Sequence, residues 1–176
     1  MCDAGLHESR EMVSIPVIGA AQTAFHVAAM LGHKFSVLAS LDRRISAFEE
    51  RVAKHDLDRQ LASVRAVNIP VLELSDQAHV LDAVVDQSIR AVRDDGAHVI
   101  VFGCGGMAGL AKDAEAGLSE QGFPGVPVID PAILALKTGE ALADMGLSHS
   151  KRTYPTPPEK PRLWDIRGRR RPPARG

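Results

Sequence analysis

Apolar residues along this chain follow two alternating patterns, which predict strands and helices in regular succession. Short runs of strand character, most of them largely apolar, occupy residues 15–20, 35–40, 63–68, 98–103 and 126–129. Apolar residues recur at the three- and four-residue spacing of helices over residues 22–31, 45–55, 76–94, 107–118 and 130–145. Strands separated by helices of this length predict an α/β fold, in which helices cover both faces of a parallel sheet.

Glycine, aspartate and proline mark the predicted helix ends. Gly32 stands where a C′ glycine belongs, and Gly96 ends the long fourth helical segment. Asp130 is the predicted N-cap of the last helix, and Pro131 suits the first helical position. Gly146 ends that helix.

Composition restricts the class of protein only loosely. A chain of 176 residues is long enough for one good domain or a little more, and 45% hydrophobic and 24% charged residues are ordinary for a globular protein. No apolar run reaches the ~20 residues of a membrane span, and the first residues lack the basic and apolar regions of a signal peptide. With two cysteines and no sign of secretion, we expect a cytoplasmic protein without disulfides.

The net charge of −1 conceals a basic C-terminal tail. Residues 151–176 carry nine Lys and Arg against two acidic residues, which gives +7 and leaves −8 for residues 1–150. The tail is rich in proline, and its end, residues 167–176, is predicted to be disordered. Because no aromatic residues interleave with the basic ones and no binding motif is present, we interpret it as a solvated tail and expect no nucleic-acid partner.

The run from Val99 to Gly109 contains the clearest chemical motif. An apolar strand ends at Cys104, and two glycines lead on to the predicted helix. Ligands of parallel α/β sheets bind at the carboxyl ends of the strands, and the N-terminus of a helix directs free N–H groups there and favours the thiolate. The motif therefore predicts a reactive thiol; the alternative is an inert cysteine that closes a core strand.

Other common chemistries lack support in the sequence. The chain has neither a phosphate-binding G-x-x-x-x-G-K-[ST] loop nor a strand-anchored G-x-G-x-x-G. The histidines and cysteines do not follow metal-ligand spacing, and no G-x-S-x-G is present. His26 is interpreted as a partly buried structural residue. We therefore expect thiol chemistry at Cys104 and no metal site.

Several separated blocks of sequence carry a resemblance to a known family. They comprise residues 16–19, 35–37 with 41–43, 62–66 with 69–73, 103–109 and 146–158. In this order and spacing they resemble the hydantoin/allantoin racemases of the Asp/Glu racemase superfamily. The resemblance implies two similar α/β domains, each contributing one cysteine to the cleft between them. One thiolate would remove the proton from the substrate stereocentre, and the other cysteine, as a thiol, would return one to the opposite face.

The resemblance makes Cys104 one of the two acid/base residues. Removing a proton next to a carbonyl requires stabilisation of an enolate-like transition state. The backbone N–H groups of Gly105, Gly106 and Met107 could hold the developing oxyanion, since small side chains let a substrate approach the main chain.

Two further residues are candidates for substrate binding. Gln22 could face the cleft from the start of a helix, although an exposed helix residue is an equal alternative. Tyr154 lies in a block that the family shares, near the expected domain junction.

The first cysteine of such racemases lies in a segment resembling C-F-x-D-P-G-L. Alignment of residues 3–6 with D-P-G-L places the family's cysteine one residue before Met1. Cys2 takes that role only if the loop is shortened. We therefore interpret the chain as an N-terminally truncated relative, through a deletion or a chain start placed too far downstream.

The expected domain organisation follows from that comparison. Residues 15–130 form one complete α/β domain that carries Cys104, and residues 1–14 and 131–150 are remnants of the other racemase domain. The apolar positions of the last helix, Ile133, Leu134, Leu136 and Leu142, would pack on a sheet that is missing. The exposed apolar surface predicts self-association or poor solubility, and we expect a homo-oligomer.

Three functions remain open at this stage. The first is a cofactor-independent racemase or epimerase of a hydantoin- or allantoin-like carbon acid. The second is a relative inactive through loss of the N-terminal half-site. The third is a non-catalytic module of the same fold that binds a small molecule or a partner.

Overall fold

The computed structural model describes residues 1–74 and 76–158. In this part of the chain a single parallel sheet contains four strands, β1 (Phe35–Ala39), β2 (Leu61–Ala66), β3 (Val99–Phe102) and β4 (Val128–Ile129), in the order β2-β1-β3-β4. The accompanying helices are α1 (Leu6–Met12), α2 (Ala20–Leu31), α3 (Ile45–Ala53), α4 (Gln77–Arg93), α5 (Ala111–Glu120) and α6 (Pro131–Asp144). None of these helices is long and apolar enough to cross a membrane.

Strand β1 lies at the centre of the sheet, and all five of its residues are buried. Val37 pairs with Val64 of β2 on one side and with Val101 of β3 on the other. A strand that is covered on both faces reads as a continuous apolar run. The strand predicted at residues 35–40 is therefore one of the two inner strands of the sheet.

Alternate side chains of the strands enter two separate cores. On one face Leu38, Ile100 and Phe102 pack under α4 and α5. On the other face Val37, Val99 and Val101 pack under α2 and α3. The prediction of an α/β sheet with helices on both faces is confirmed.

The apolar run at residues 15–20 forms no strand, so that prediction is wrong. Ala20 already belongs to α2, and the backbone groups of Val17 bond to side chains. Its N–H donates to His149 Nε2 (2.8 Å), and its carbonyl accepts from Arg10 Nε (3.0 Å). Side chains thus satisfy groups that a neighbouring strand would otherwise pair.

Two details at helix ends also differ from prediction. The helix expected from Met107 begins only at Ala111, after a short 3₁₀ turn over Gly105–Met107. Gly32 has an extended backbone instead of the left-handed conformation of a C′ glycine. It is glycine for another reason, since a Cβ there would lie 2.8 Å from Cβ of His98.

Helix α6 begins as predicted. The Asp130 carboxylate accepts from the N–H of Ala132 (2.9 Å) at its N-terminus, and Pro131 is the first helical residue. Helix α6 packs against α2.

The segment that precedes α2 and the segment that follows α6 bind each other. Lys151 Nζ donates to the carbonyls of Arg10, Glu11 and Val13 at the end of α1. The prediction that these outer segments are domain remnants remains a prediction. The expected disordered end of the tail lies outside the described residues.

Candidate active site around Cys104

Cys104 follows the carboxyl end of β3, where the chain passes closely over its neighbours. The N–H of Gly103 donates to the carbonyl of Leu38 (2.8 Å). A Cβ at Gly103 would lie 2.7 Å from that carbonyl oxygen and 2.8 Å from Cζ of Phe48. Glycine is therefore required before the cysteine, and the thiol of Cys104 is free and partly exposed at the edge of the sheet.

Beside Cys104 lies a cavity of about 190 Å³. Its walls are mostly apolar and include the first residues of α2 and α6; they comprise Met1, Ala20, Phe102, Cys104, Gly105, Asp130, Pro131 and Ala132. Sites for drug-sized ligands usually span roughly 300–1,000 Å³. A cavity of this size restricts the occupant to a small molecule.

The turn after Cys104 leaves two of the three predicted N–H donors. Met107 is fully buried, and its N–H donates to the carbonyl of Cys104 (3.1 Å), so the expectation of a third donor there is wrong. The N–H groups of Gly105 and Gly106 bond to no acceptor within residues 1–74 and 76–158. These two groups are the oxyanion donors that the turn can offer.

The two glycines of the turn differ in their surroundings. A Cβ at Gly105 would meet nothing within 4 Å, whereas a Cβ at Gly106 would lie 2.4 Å from the side chain of Leu74. Gly106 is thus packed against the core, while the open space at Gly105 leaves its backbone accessible to a ligand.

Asp130 is a site residue that sequence reasoning treated only as a helix cap. It lines the cavity, is buried, and accepts from the N–H of Gly109 (2.8 Å) as well as from α6. The signal was available, because Asp130 directly follows β4 at the same edge of the sheet as Cys104.

Gln22 and Tyr154 come together, but around Arg10 and not at Cys104. The buried Arg10 guanidinium donates to Gln22 Oε1 (2.8 Å) and to the Tyr154 hydroxyl (3.2 Å), and it lies over the Tyr154 ring. Neither residue is in the lining of the Cys104 cavity. Their predicted contact with substrate therefore has no direct support in the geometry.

His149 belongs to the same cluster. Its Nε2 accepts from the N–H of Val17, which requires a neutral ring. Burial lowers the pKa of His149, and the positive charges of Arg10 and Lys151 lower it further. This cluster is built to hold segments of the chain together.

Cys2 is exposed and does not line the cavity, whereas Met1 does. His26 is exposed, not partly buried as predicted, and its Nδ1 contacts the carbonyl of Gln22 (2.8 Å). Within the described part of the chain, no three His, Cys, Asp or Glu side chains group closely enough to hold a metal ion.

The sequence and the parallel α/β fold of this chain match a known class of protein. A family model described as Asp/Glu/Hydantoin racemase matches residues 1–139. The chain belongs to the Asp/Glu/hydantoin racemase family.

Characterised relatives and solved structures agree with this assignment. Hydantoin racemases of Rhizobium meliloti and Pseudomonas sp. (strain NS671) are 37% and 34% identical over 88% and 90% of this chain. The allantoin racemase structures from Pseudomonas fluorescens (40% identity, 88% of this chain, TM-score 0.77) and Klebsiella pneumoniae (36%, 90%, 0.80) share its fold. The chain spans 63% and 62% of the length of those two hydantoin racemases, and 65% and 63% of the two allantoin racemases.

Proposed function

We propose that Cys104 is one of two acid/base residues of a cofactor-independent racemase or epimerase acting on a hydantoin- or allantoin-like carbon acid. The observation that carries this proposal is the arrangement at Cys104. A free, partly exposed thiol lies beside a small apolar cavity, next to the N–H groups of Gly105 and Gly106. The partner would be a small molecule, and in the cytoplasm both cysteines would stay reduced.

The reaction requires two proton transfers on opposite faces of one carbon. The thiolate of one cysteine takes the proton from the carbon next to the carbonyl, and the electron pair of the C–H bond moves onto the carbonyl oxygen. The Gly105 and Gly106 N–H groups would stabilise that oxygen. A second thiol then gives a proton to the other face, so the product is the mirror-image centre and the two cysteines have exchanged protonation states.

Within the described residues, no second thiol lines the Cys104 cavity. Cys2 is the candidate within this chain, yet Cys104 is the one thiol among the described residues that line the cavity. This favours, as an alternative, a relative with half a site that is inactive or binds a small molecule without turnover.

Deuterium exchange tests these functions. The full chain is incubated in D₂O with each enantiomer of a 5-alkylhydantoin and of allantoin, and the uncatalysed exchange is measured in parallel. Racemisation with exchange supports two working thiols, whereas exchange with retained configuration supports a single thiol serving one face. Binding without exchange supports the non-catalytic alternative.

Two cysteine variants give the matched control. Cys104→Ser should reduce exchange to the uncatalysed rate, because the hydroxyl is a far weaker base at neutral pH. Cys2→Ser should reduce it only if Cys2 is the second thiol. Exchange that survives Cys104→Ser would refute the site assignment.

A further inference from the structure

Two parts of this chain repeat the same short sequence pattern in the same order. Residues Ala4–Leu6 and Ala108–Leu110 both read Ala-Gly-Leu, and residues Ile15–Ile18 and Val126–Ile129 read Ile-Pro-Val-Ile and Val-Pro-Val-Ile. In each case the first pattern leads into a helix, α1 or α5, and the second leads into another, α2 or α6. The repeat therefore relates the segment around Cys104 to the first residues of the chain.

The backbone repeats with the sequence. Gly5 and Gly109 both have left-handed φ angles, 72° and 88°. Gly19 and Asp130, which precede α2 and α6, have nearly the same conformation, with φ/ψ of −82°/120° and −88°/108°. Because α2 and α6 also pack against each other, the repeated elements meet at the cavity, which is lined by the start of both helices.

A carboxylate binds the equivalent N–H groups of both helices. Asp3 accepts from the N–H groups of residues 21 and 22 through its two oxygens (2.9 and 2.8 Å). Asp130 Oδ1 accepts from those of residues 132 and 133 (2.9 and 3.4 Å). The second and third residues of each helix thus bind one carboxylate.

The two carboxylates reach their helices from different positions in the chain. Asp3 lies in the loop that packs against the start of α2, whereas Asp130 directly precedes α6. In the repeat, Asp3 occupies the position of Met107, in the loop, and Gly19 occupies the position of Asp130 at the helix. A Cβ at Gly19 would lie 2.5 Å from Asp3 Oδ2, so Asp3 fills the space that an aspartate at 19 would need. Each half has room for one carboxylate and contains one.

We propose that Asp130 and Asp3 are equivalent positioning residues, each of which ties a loop at the cavity to the N-terminus of a helix. In the Cys104 half, Asp130 holds the Gly109 N–H and α6 with one carboxylate. Asp130 thereby fixes the turn that contains the Gly105 and Gly106 N–H groups. That these N–H groups face a substrate rests on the proposed function.

The two loops need such a constraint for different reasons: residues 105–109 are rich in glycine, and the loop at Asp3 has a strained backbone. Three glycines within residues 105–109 lose more conformational freedom on ordering than other residues. Asp3 itself has a left-handed φ of 45°, a conformation that persists only when surrounding contacts enforce it. Its two hydrogen bonds to α2 supply that constraint.

The repeat also defines what Cys2 is equivalent to. Its position corresponds to Gly106, and Met1 corresponds to Gly105, with which it shares the cavity lining. Cys2 is therefore not the structural counterpart of Cys104.

Amide hydrogen exchange tests the part played by Asp130. Asp130→Asn keeps an oxygen for the α6 N–H groups but turns an amide donor toward the Gly109 N–H. Exchange of residues 105–109 should accelerate about tenfold or more, while α6 keeps its protection. Asp76→Asn, at the N-cap of α4, is the matched control and should leave residues 105–109 unchanged. Unchanged exchange in Asp130→Asn would overturn the proposal, whether or not the chain turns over a substrate; if it does, kcat should fall more than KM changes.

Moving the carboxylate from residue 3 to residue 19 by mutation tests whether the two halves of the repeat are equivalent. Asp3→Met removes the carboxylate and Gly19→Asp adds a second one without space, so each should lower Tm by about 3 °C or more. The double variant reproduces the Met107–Asp130 arrangement and should recover most of that loss. Losses that simply add in the double variant would show that the two halves are not equivalent.

Discussion

The segments at residues 15–18 and 126–129 differ at one position only but lie in different surroundings. Val128 and Ile129 form β4, where the carbonyl of Pro127 accepts from the N–H of Ile100 (2.9 Å). The equivalent segment has no strand beside it in the described structure, and Arg10 and His149 bind its backbone instead. The same four-residue pattern is a strand only where a neighbour completes its hydrogen bonds, so strand formation here is decided by tertiary context.

The helices that follow these segments differ in the same way. Phe25 of α2 is 0% exposed because it packs on the sheet, whereas Leu136, at the equivalent position of α6, is 61% exposed. No sheet packs against this side of α6 in the described structure. The division into a domain of residues 15–130 and remnants of another domain stays a prediction.

Among the predicted changes, removal of the Arg10 side chain should lower the free energy of unfolding most, because this side chain holds the segment at residues 15–19 in place. Its guanidinium is buried and donates to the backbone carbonyl of Val17, to Gln22 Oε1 and to the Tyr154 hydroxyl. Arg10→Ala leaves those acceptors unpaired and should cost about 3 kcal/mol, measured by urea unfolding. Arg93→Ala, which removes an exposed arginine paired with its neighbour, should change stability little. Equal losses from both variants would contradict the role given to Arg10.

Alanine substitutions at the two glycines after Cys104 should have different effects, one on packing of the fold and the other on access of a ligand. Gly106→Ala drives a methyl group into Leu74 and should destabilise the fold by about 1–3 kcal/mol. Gly105→Ala meets no protein atom, so stability should stay within about 0.5 kcal/mol while ligand binding or turnover falls. Thermal unfolding and a substrate titration measure the two effects. A Gly105→Ala variant with undiminished binding would show that the ligand does not approach this backbone.

The exposed face of α6 should promote self-association. Ile133 and Leu136 are 54% and 61% exposed, while Leu134 and Leu142 are half-buried. Replacing Ile133 and Leu136 together by Gln should reduce the apparent mass in light scattering, since large exposed apolar patches drive association. A wild-type chain that is already a monodisperse monomer would refute this prediction.

The smallest expected effect is a pH dependence at Val17. Because the folded-state pKa of His149 is lowered, its contribution to stability is full above the unfolded value of about 6.5 and is lost as pH falls through the folded pKa. Acidification should therefore reduce protection of the Val17 amide and leave β3 unaffected. His149→Gln keeps an acceptor that does not titrate and should abolish the change. The pKa of His55 is also lowered by burial and by His26, so the readout must be the Val17 amide rather than global stability.

Sequence patterns predicted the two inner strands, β1 and β3, well because both are buried along their whole length and are largely apolar. They failed at residues 15–20, where the local pattern is that of a strand but the required neighbour is absent from the described structure. The predicted helix α5 starts too early because Gly109 has a left-handed φ of 88°, and the contact of its N–H with Asp130, which ends the turn, is a long-range one.

The candidate site was predicted in part for a similar reason. Cys104 and its glycines are contiguous in the sequence, so one motif contains them. Asp130 reaches the same cavity from another strand, and only the sheet order brings β3 and β4 together. Gln22 lies near a helix start and Tyr154 in a block that the family shares, and neither position indicates that Arg10 is buried between them.

The walls of the Cys104 cavity have a consequence for anyone wishing to engineer it. Ala20, Gly105 and Ala132 contribute one side-chain carbon or none, so trimming them creates almost no room. Among the larger lining residues, Phe102 is part of the core and Asp130 and Pro131 form the start of α6. Broadening the range of accepted ligands would therefore require a shift of the two helix starts, a change of backbone that single substitutions rarely deliver.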